Sequence, residues 1–371
     1  MGAGSRDRQI PSSLKGACWS LLPAAVRSAL RGTGLHKAAR LLCKGPVVLF
    51  YHGVVEHKDQ PLMQYLHMPL GRFEREAAYL AREWEVISLD YLAQGLLEGK
   101  GLHRRQVVLT FDDGFRNNAT LAAPVLEALN LPYAIFISTR MVEEGLRAPS
   151  YYMRAILFLS GLKKIKVPTL GVELSLEGDA AVENARQTLR KAMERLPQDK
   201  VRGIIQDLID ALPAERWTEI DKSLPSEAMM TWDEVEELGQ GKQATIAAHC
   251  HDHAILHAAQ SAEEVDYQLG ESKNRIQARL GSCRYFAYPR GIASGVSPLA
   301  LQKVEEHGFQ LSFTTLAGEV HQVPSPHLLP RFSSPDLNSP GLESLSYLLS
   351  SRFRLQEEYL AQCQRILEAR P

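Results

Sequence analysis

The chain predicts an α/β fold, an irregular (β/α)7-8 barrel carrying a helical insertion. Three observations predict it. Short, continuously apolar runs alternate with amphipathic stretches of helical spacing, the pattern of parallel strands joined by crossover helices. Polar residues gather where those apolar runs stop, as they do at the C-terminal rim of a barrel. The 371 residues are 45% hydrophobic, enough to bury a large core.

Val47 to Tyr51 is apolar throughout and ends at His52-Gly53, so it reads as a buried strand with a histidine at its exit. Arg72 to Trp84 places Phe73, Ala77, Leu80 and Ala81 on one helical face. Val86 to Leu89 is a short strand, capped by Asp90 into another helix. After a loop over 99–105, Val107 to Phe111 forms the next strand, followed by a helix over 118–129 and a strand over 133–138. From 141 to about 230 the rhythm breaks into two amphipathic helical runs, 180–195 and 200–212, separated by Pro197; this stretch is predicted to cap one side of a pocket. Alternation resumes with a helix start at Thr231-Trp232-Asp233, a strand over 244–248, a helix over 262–280, a strand over 284–288, a helix over 297–307 and a strand over 309–315. The run 354–369 is amphipathic and is expected to pack across the barrel. The division predicted is a basic segment 1–45, a catalytic domain 46–335 with the insertion 141–230, and a C-terminal helical segment 336–371.

A formal net charge of -1 and a pI near 6.9 give no global field for nucleic acid, which is not expected as a partner. The charge is uneven, however. Up to Val55 there are eight basic residues against the single acid Asp7. With Trp19, Leu21, Leu22, Val26 and Leu30 as apolar contacts, this segment could lie on an anionic membrane face or pack as an ordinary helix. Its apolar patch is too short to span a bilayer and poor as an export signal, so the chain is expected in the cytoplasm, with peripheral contact at the inner membrane face. Five cysteines without CxxC spacing indicate neither a disulfide framework nor a zinc knuckle.

Chemistry concentrates at two places. Leu109-Thr110-Phe111-Asp112-Asp113-Gly114-Phe115 puts two carboxylates where a buried strand becomes a loop, so one can face a metal while the other faces water. The competing reading makes Asp112 a helix cap and Asp113 a solvated turn residue. His249-Cys250-His251-Asp252-His253-Ala254-Ile255-Leu256-His257 packs four histidines into nine positions after a strand. His249 and His253 can both meet one cation, and one carboxylate added to them makes the two-His, one-carboxylate set of a catalytic site with open positions for water. The competing reading has these histidines capping a helix or in solvent.

Thr110-Phe111-Asp112-Asp113-Gly114, His249 with His253, and Phe286-Ala287-Tyr288-Pro289-Arg290-Gly291 resemble, in order and spacing, the first three signatures of the polysaccharide deacetylases, the NodB-like carbohydrate esterases. Tyr51-His52-Gly53-Val54 and Leu329-Pro330-Arg331 resemble further segments of one branch, and the resemblance runs from about Pro46 to Ser333. It implies a distorted (β/α) barrel and a metal-dependent hydrolase that removes acetyl groups from N-acetylated amino sugars of a polysaccharide, oligosaccharide or lipid-linked glycan. Carried over by position, it makes Asp113, His249 and His253 ligands of a divalent ion, Zn2+ first and Co2+ or Ni2+ next, and Asp112 the general base. The loop Tyr288, Pro289, Arg290, Gly291 would hold the oxyanion through a backbone N–H.

The chain departs from the family pattern at two points. The arginine that orients the base in many members is replaced by Ala287, leaving Arg331 or Arg290 to approach from elsewhere. The late signature with the general acid is not recognisable, which leaves His327, the first choice, with His52 and His251 as further pocket candidates. These departures also admit a glycan-binding or assembly protein of the same fold without turnover, and the same site would serve hydrolysis of another amide or ester.

Overall fold

A computed structural model describes residues 39–99, 101–334, 345–346, 349 and 352–369. Eight parallel strands form one curled sheet: β1 (Val47–Tyr51), β2 (Glu85–Val86), β3 (Gln106–Phe111), β4 (Tyr133–Ile137), β5 (Ala244–Ala248), β6 (Tyr285–Ala287), β7 (Leu311–Phe313) and β8 (Phe332–Ser333). The order is β7-β6-β5-β4-β3-β1-β8, with β2 paired to the start of β3. A parallel bridge from Phe313 to Leu329, just ahead of β8, brings the two ends of the sheet together. The predicted α/β class and curled parallel architecture are therefore observed.

The strands are apolar on both faces because both faces are covered. Val48, Val108, Ala134, Phe136, Ala247, Ala287 and Phe313 fill the inside of the curl. Val47, Leu49, Leu109, Phe111, Ile135 and Ile137 point outward against Phe73, Leu80, Leu126 and Leu269 of the surrounding helices. These include α1 (Leu70–Glu83), α3 (Ala123–Ala128) and α4 (Thr139–Glu144), whereas α2 (Leu89–Glu98) packs Leu89, Leu92 and Ala93 against the residues inside the curl. Two local expectations are corrected. The cap of α2 is Ser88, whose side chain accepts from the Tyr91 N–H, while Asp90 pairs with Arg284 across the surface. The stretch 118–129 opens with a π turn, Asn118–Ala122, before α3, because Pro124 has no N–H to continue an ordinary ladder.

The insertion contains α5 (Pro149–Leu159), α6 (Asp179–Arg195), α7 (Gln198–Asp210) and α8 (Ala214–Lys222) around its own apolar cluster, including Tyr151, Ile156, Leu189, Ile204 and Leu208. It is not wholly helical. Lys164–Val167 and Val172–Ser175 form an antiparallel hairpin with Ile165, Val167 and Leu174 buried, an alternation of period two masked by the surrounding helical runs. The chain then returns through α9 (Trp232–Gln240), started by a reciprocal Thr231–Glu234 capping box, α10 (Ala262–Leu280) and α11 (Pro298–Glu306). The last helix, α12 (Gln356–Glu368), buries Tyr359, Cys363 and Ile366, and the Tyr359 hydroxyl donates to the Leu328 carbonyl at 2.9 Å. The basic N-terminal contacts predicted over 1–38 lie outside the described residues.

Candidate active site at the strand ends

Main-chain pairing continues past the strands and aligns the candidate residues. The Asp112 N–H donates to Tyr51 O, that of His249 to Ile137 O, and that of Tyr288 to Phe313 O, at 2.9, 2.9 and 3.0 Å. Thr110 lies on the inner face, so Asp112 two residues later points inward as well. The chain then leaves the strand at once: Asp113 has φ 75° and Gly114 φ 87°. The two carboxylates are separated by this left-handed turn, and not by strand alternation as their adjacency suggested.

Asp113, His249 and His253 come together. Asp113 Oδ1 is buried without a hydrogen bond of normal geometry and faces His253 Nε2 at 3.0 Å and His249 Nε2 at 3.5 Å. The three ligand atoms all lie within 4.8 Å of one another. His249 is turned into place by its other nitrogen, 2.7 Å from the Ala287 carbonyl, the outer-shell contact usual for a metal-binding imidazole. Burial opposes ionisation of Asp113, but the two histidines facing it outweigh burial and hold the carboxyl well below the ordinary range. Burial likewise favours neutral His253, yet Asp113 raises its pKa overall. Two imidazoles and one carboxylate with an unsatisfied buried oxygen fit a divalent ion.

Asp112 is bound from the opposite end of the site. Arg331 donates Nη1 to Oδ1 at 2.6 Å and Nη2 to Oδ2 at 2.8 Å, while its Nε donates to Thr314 O at 2.9 Å. The guanidinium is fully buried between the rings of Phe50 and Phe136, 4.8 and 5.5 Å from their centroids. Burial tends to raise the Asp112 pKa, and Arg331 overcomes it to leave the pKa below the usual value. Arg331 thus fixes the direction of the Asp112 carboxylate, while Ala287 stands at the position where the family resemblance expects an arginine. Arg290 does not approach Asp112; its Nη1 is 2.8 Å from Glu194 of the insertion.

The other candidates separate. His52 is half-buried at the exit of β1, and its pKa is lowered by burial, partly offset by Asp113 and Asp112. His327 Nδ1 instead sits 3.3 Å from Ser312 Oγ. Because Leu311 and Phe313 face the inside of the curl, Ser312 and its histidine lie on the other side of the sheet. His251 Nδ1 is 2.8 Å from Thr139 Oγ1, which fastens the histidine loop to α4. The Tyr288 ring also points outward, edge-on to Phe286. Pro289 and Gly291 shape the following loop: a side chain on Gly291, at φ 37°, would place Cβ 2.7 Å from Thr315 N. A buried group absent from the sequence reading stands behind Asp113. It consists of Glu227, Arg154 Nη2 at 3.2 Å and His67 Nε2 at 3.6 Å, and its signal was the lone arginine within the apolar run of α5.

The polysaccharide deacetylase family model matches residues 99–312, more than half of the chain. The chain belongs to that family. This polysaccharide deacetylase homologue is accordingly a hydrolase of carbon–nitrogen bonds other than peptide bonds, a deacetylase. Among solved structures it resembles the Streptococcus pyogenes deacetylase PplD in complex with acetate, at 16% identity and TM-score 0.53, covering 81% of this chain and 96% of that one. IcaB from Ammonifex degensii matches at 17% identity and TM-score 0.53, covering 83% of this chain and 97% of that one. At these identities the likeness establishes the fold. No curated protein matches the chain.

Proposed function

We propose that the protein is a metal-dependent N-deacetylase of amino sugars in a polysaccharide, oligosaccharide or lipid-linked glycan. The observation that carries this reading is the Asp112–Arg331 pair set beside Asp113, His249 and His253. The latter three would hold a divalent ion, zinc first by donor type, whose Lewis acidity activates water and polarises the acetamide carbonyl. Asp112, kept ionised and fixed in direction by Arg331, takes the proton as water oxygen attacks the carbonyl carbon. In the loop after β6 the Tyr288 N–H is already given to Phe313 O, and Pro289 has none. The N–H groups of Arg290 and Gly291 therefore remain as donors to the oxyanion.

Cleavage of the carbon–nitrogen bond needs a proton on the departing amine. Of the three candidate histidines, it is His52 that directly follows β1, whose last residue pairs with Phe111 just ahead of Asp112; burial lowers the His52 pKa, so we assign it the relay that passes to the amine the proton Asp112 takes from water. Arg331 also weighs against a glycan-binding protein without turnover, because it answers the first of the two departures, the missing arginine and the unassigned acid, that motivated that alternative. Zinc-loaded protein incubated with N-acetylated chito-oligosaccharides should release acetate, and Asp112→Asn should stop release while retaining the metal. Release of acetate by the variant at the normal rate would refute the role of Asp112.

We take residues 46–335 as the catalytic domain with its insertion, and 336–371 as a helical extension. We also propose that residues 1–45 rest on an anionic membrane surface. Leu41 and Leu42 are exposed beside this basic stretch, and no described helix is long and apolar enough to cross a membrane. The full chain should co-sediment with anionic vesicles, and a chain lacking 1–44 should not; equal sedimentation of both would remove the proposal.

A further inference from the structure

The insertion reaches the site through α6, α7 and the turn between them. Arg202 of α7 lies 2.7 Å from Asp252 Oδ2 and 2.7 Å from Glu264 Oε2, gripping the histidine loop one residue before His253. The Gln198 N–H donates to Gln260 Oε1 at 2.9 Å, and His257 Nε2 sits 3.2 Å from Leu196 O. On the other side, Glu194 near the end of α6 holds Arg290 Nη1 at 2.8 Å. Glu194 is itself steadied by Arg190, whose Nη1 is 3.0 Å from Oε1.

Arg290 is one of the non-glycine residues with left-handed backbone, at φ 61°. Such a conformation persists only where the surroundings determine it. The barrel fixes the carbonyls of this loop: Thr315 Oγ1 donates to Arg290 O at 2.8 Å, and Thr315 N to Gly291 O at 2.9 Å. The side chain is fixed from the insertion. Both partners are partly exposed, 37% for Arg290 and 18% for Glu194, so their attraction contributes little to global stability. Its consequence lies in where the adjoining N–H groups point.

We propose that Glu194 is a positioning residue for the reaction, holding Arg290 so that the N–H groups of Arg290 and Gly291 meet the developing oxyanion. The inference rests on the deacetylase reading above. It gives the insertion a part in the chemistry: one structural unit sets both the loop carrying His253 and the loop carrying the oxyanion donors. A small misdirection of such donors costs turnover far more than substrate binding.

The test is a double-mutant cycle on the full-length, zinc-loaded protein, with acetate release, bound zinc and melting temperature measured for Glu194→Gln, Arg290→Gln and the double variant. Each single variant should lose about tenfold in kcat with KM and zinc content nearly unchanged, and the double should lose about tenfold as well, because both act through one contact. The proposal fails if Glu194→Gln keeps wild-type kcat, if the two losses multiply, or if Arg290→Gln raises KM alone, as a direct substrate contact would. Failure of wild-type protein to release acetate would instead overturn the underlying deacetylase reading.

Discussion

At the scale of residues, the contact between Arg331 and Asp112 carries the proposed chemistry and has a cost in stability. Both side chains are almost completely buried, so removing one leaves the other an unpaired charge in a low-dielectric interior. Arg331→Met is expected to destabilise the protein by about 3–5 kcal/mol and to lower kcat, as measured by chemical unfolding and acetate release. Asp112→Asn should lower kcat by about 10²–10⁴-fold. The pH dependence has a definite sign. The folded Asp112 pKa lies below its unfolded value, so the pair's stability is present above the ordinary aspartate range and is lost as pH falls through the folded pKa. Unfolding of wild type and Arg331→Met at pH 7 and pH 3 should therefore show the stability gap shrinking in acid. The Asp pair and the two histidines were legible because each sits in a short local pattern. Arg331 was named only as one of two arginines, since its meeting with a residue 219 positions away depends on how the sheet closes.

At the scale of elements, legibility followed the strength of local signals. Helix α10 and strand β5 begin and end where the sequence predicts, because the first has a Ser261 cap and a Gly281 stop and the second is a compact apolar run. The hairpin 164–175 escaped because each strand spans only four residues between helical stretches. Behind Asp113, residues 228–230 of the segment leaving the insertion pair with 114–116, and Glu227 lies at their edge. Burial, opposed by Arg154 and assisted by Asp113, pushes the Glu227 carboxyl up to about 7. At this group the native state binds more protons than the unfolded chain between about pH 4.5 and 7, so its own contribution to stability falls as pH rises across that window, against the opposite contribution of His67, whose pKa burial lowers to about 4. Melting temperatures from pH 4.5 to 8 should therefore rise more steeply with pH in Glu227→Gln than in wild type. Gly291→Ala should reduce both stability and kcat, since its added carbon collides with the backbone at Thr315.

At the scale of the whole molecule, a curled sheet brings the C-terminal ends of β1, β3, β5 and β6 onto one rim, Arg331 ahead of β8 reaches Asp112 from inside the curl, and the insertion clasps two of the loops at the rim. Site residues contributed by distant segments would make the barrel, the insertion and the proposed ion mutually dependent. A ligand that binds only the folded state stabilises it by mass action, so zinc should raise the melting temperature of chelator-treated protein, and replacing both His249 and His253 by Ala should abolish that rise. The central claim is that this rim hydrolyses N-acetyl groups with the help of a divalent ion. The most direct measurement is acetate release from a panel of N-acetylated glycans by the purified protein, before chelation, after chelation and after zinc is restored. Release on at least one glycan, loss on chelation and recovery with zinc are expected; no release from any of them, or a rate indifferent to chelation, would refute metal-dependent deacetylation.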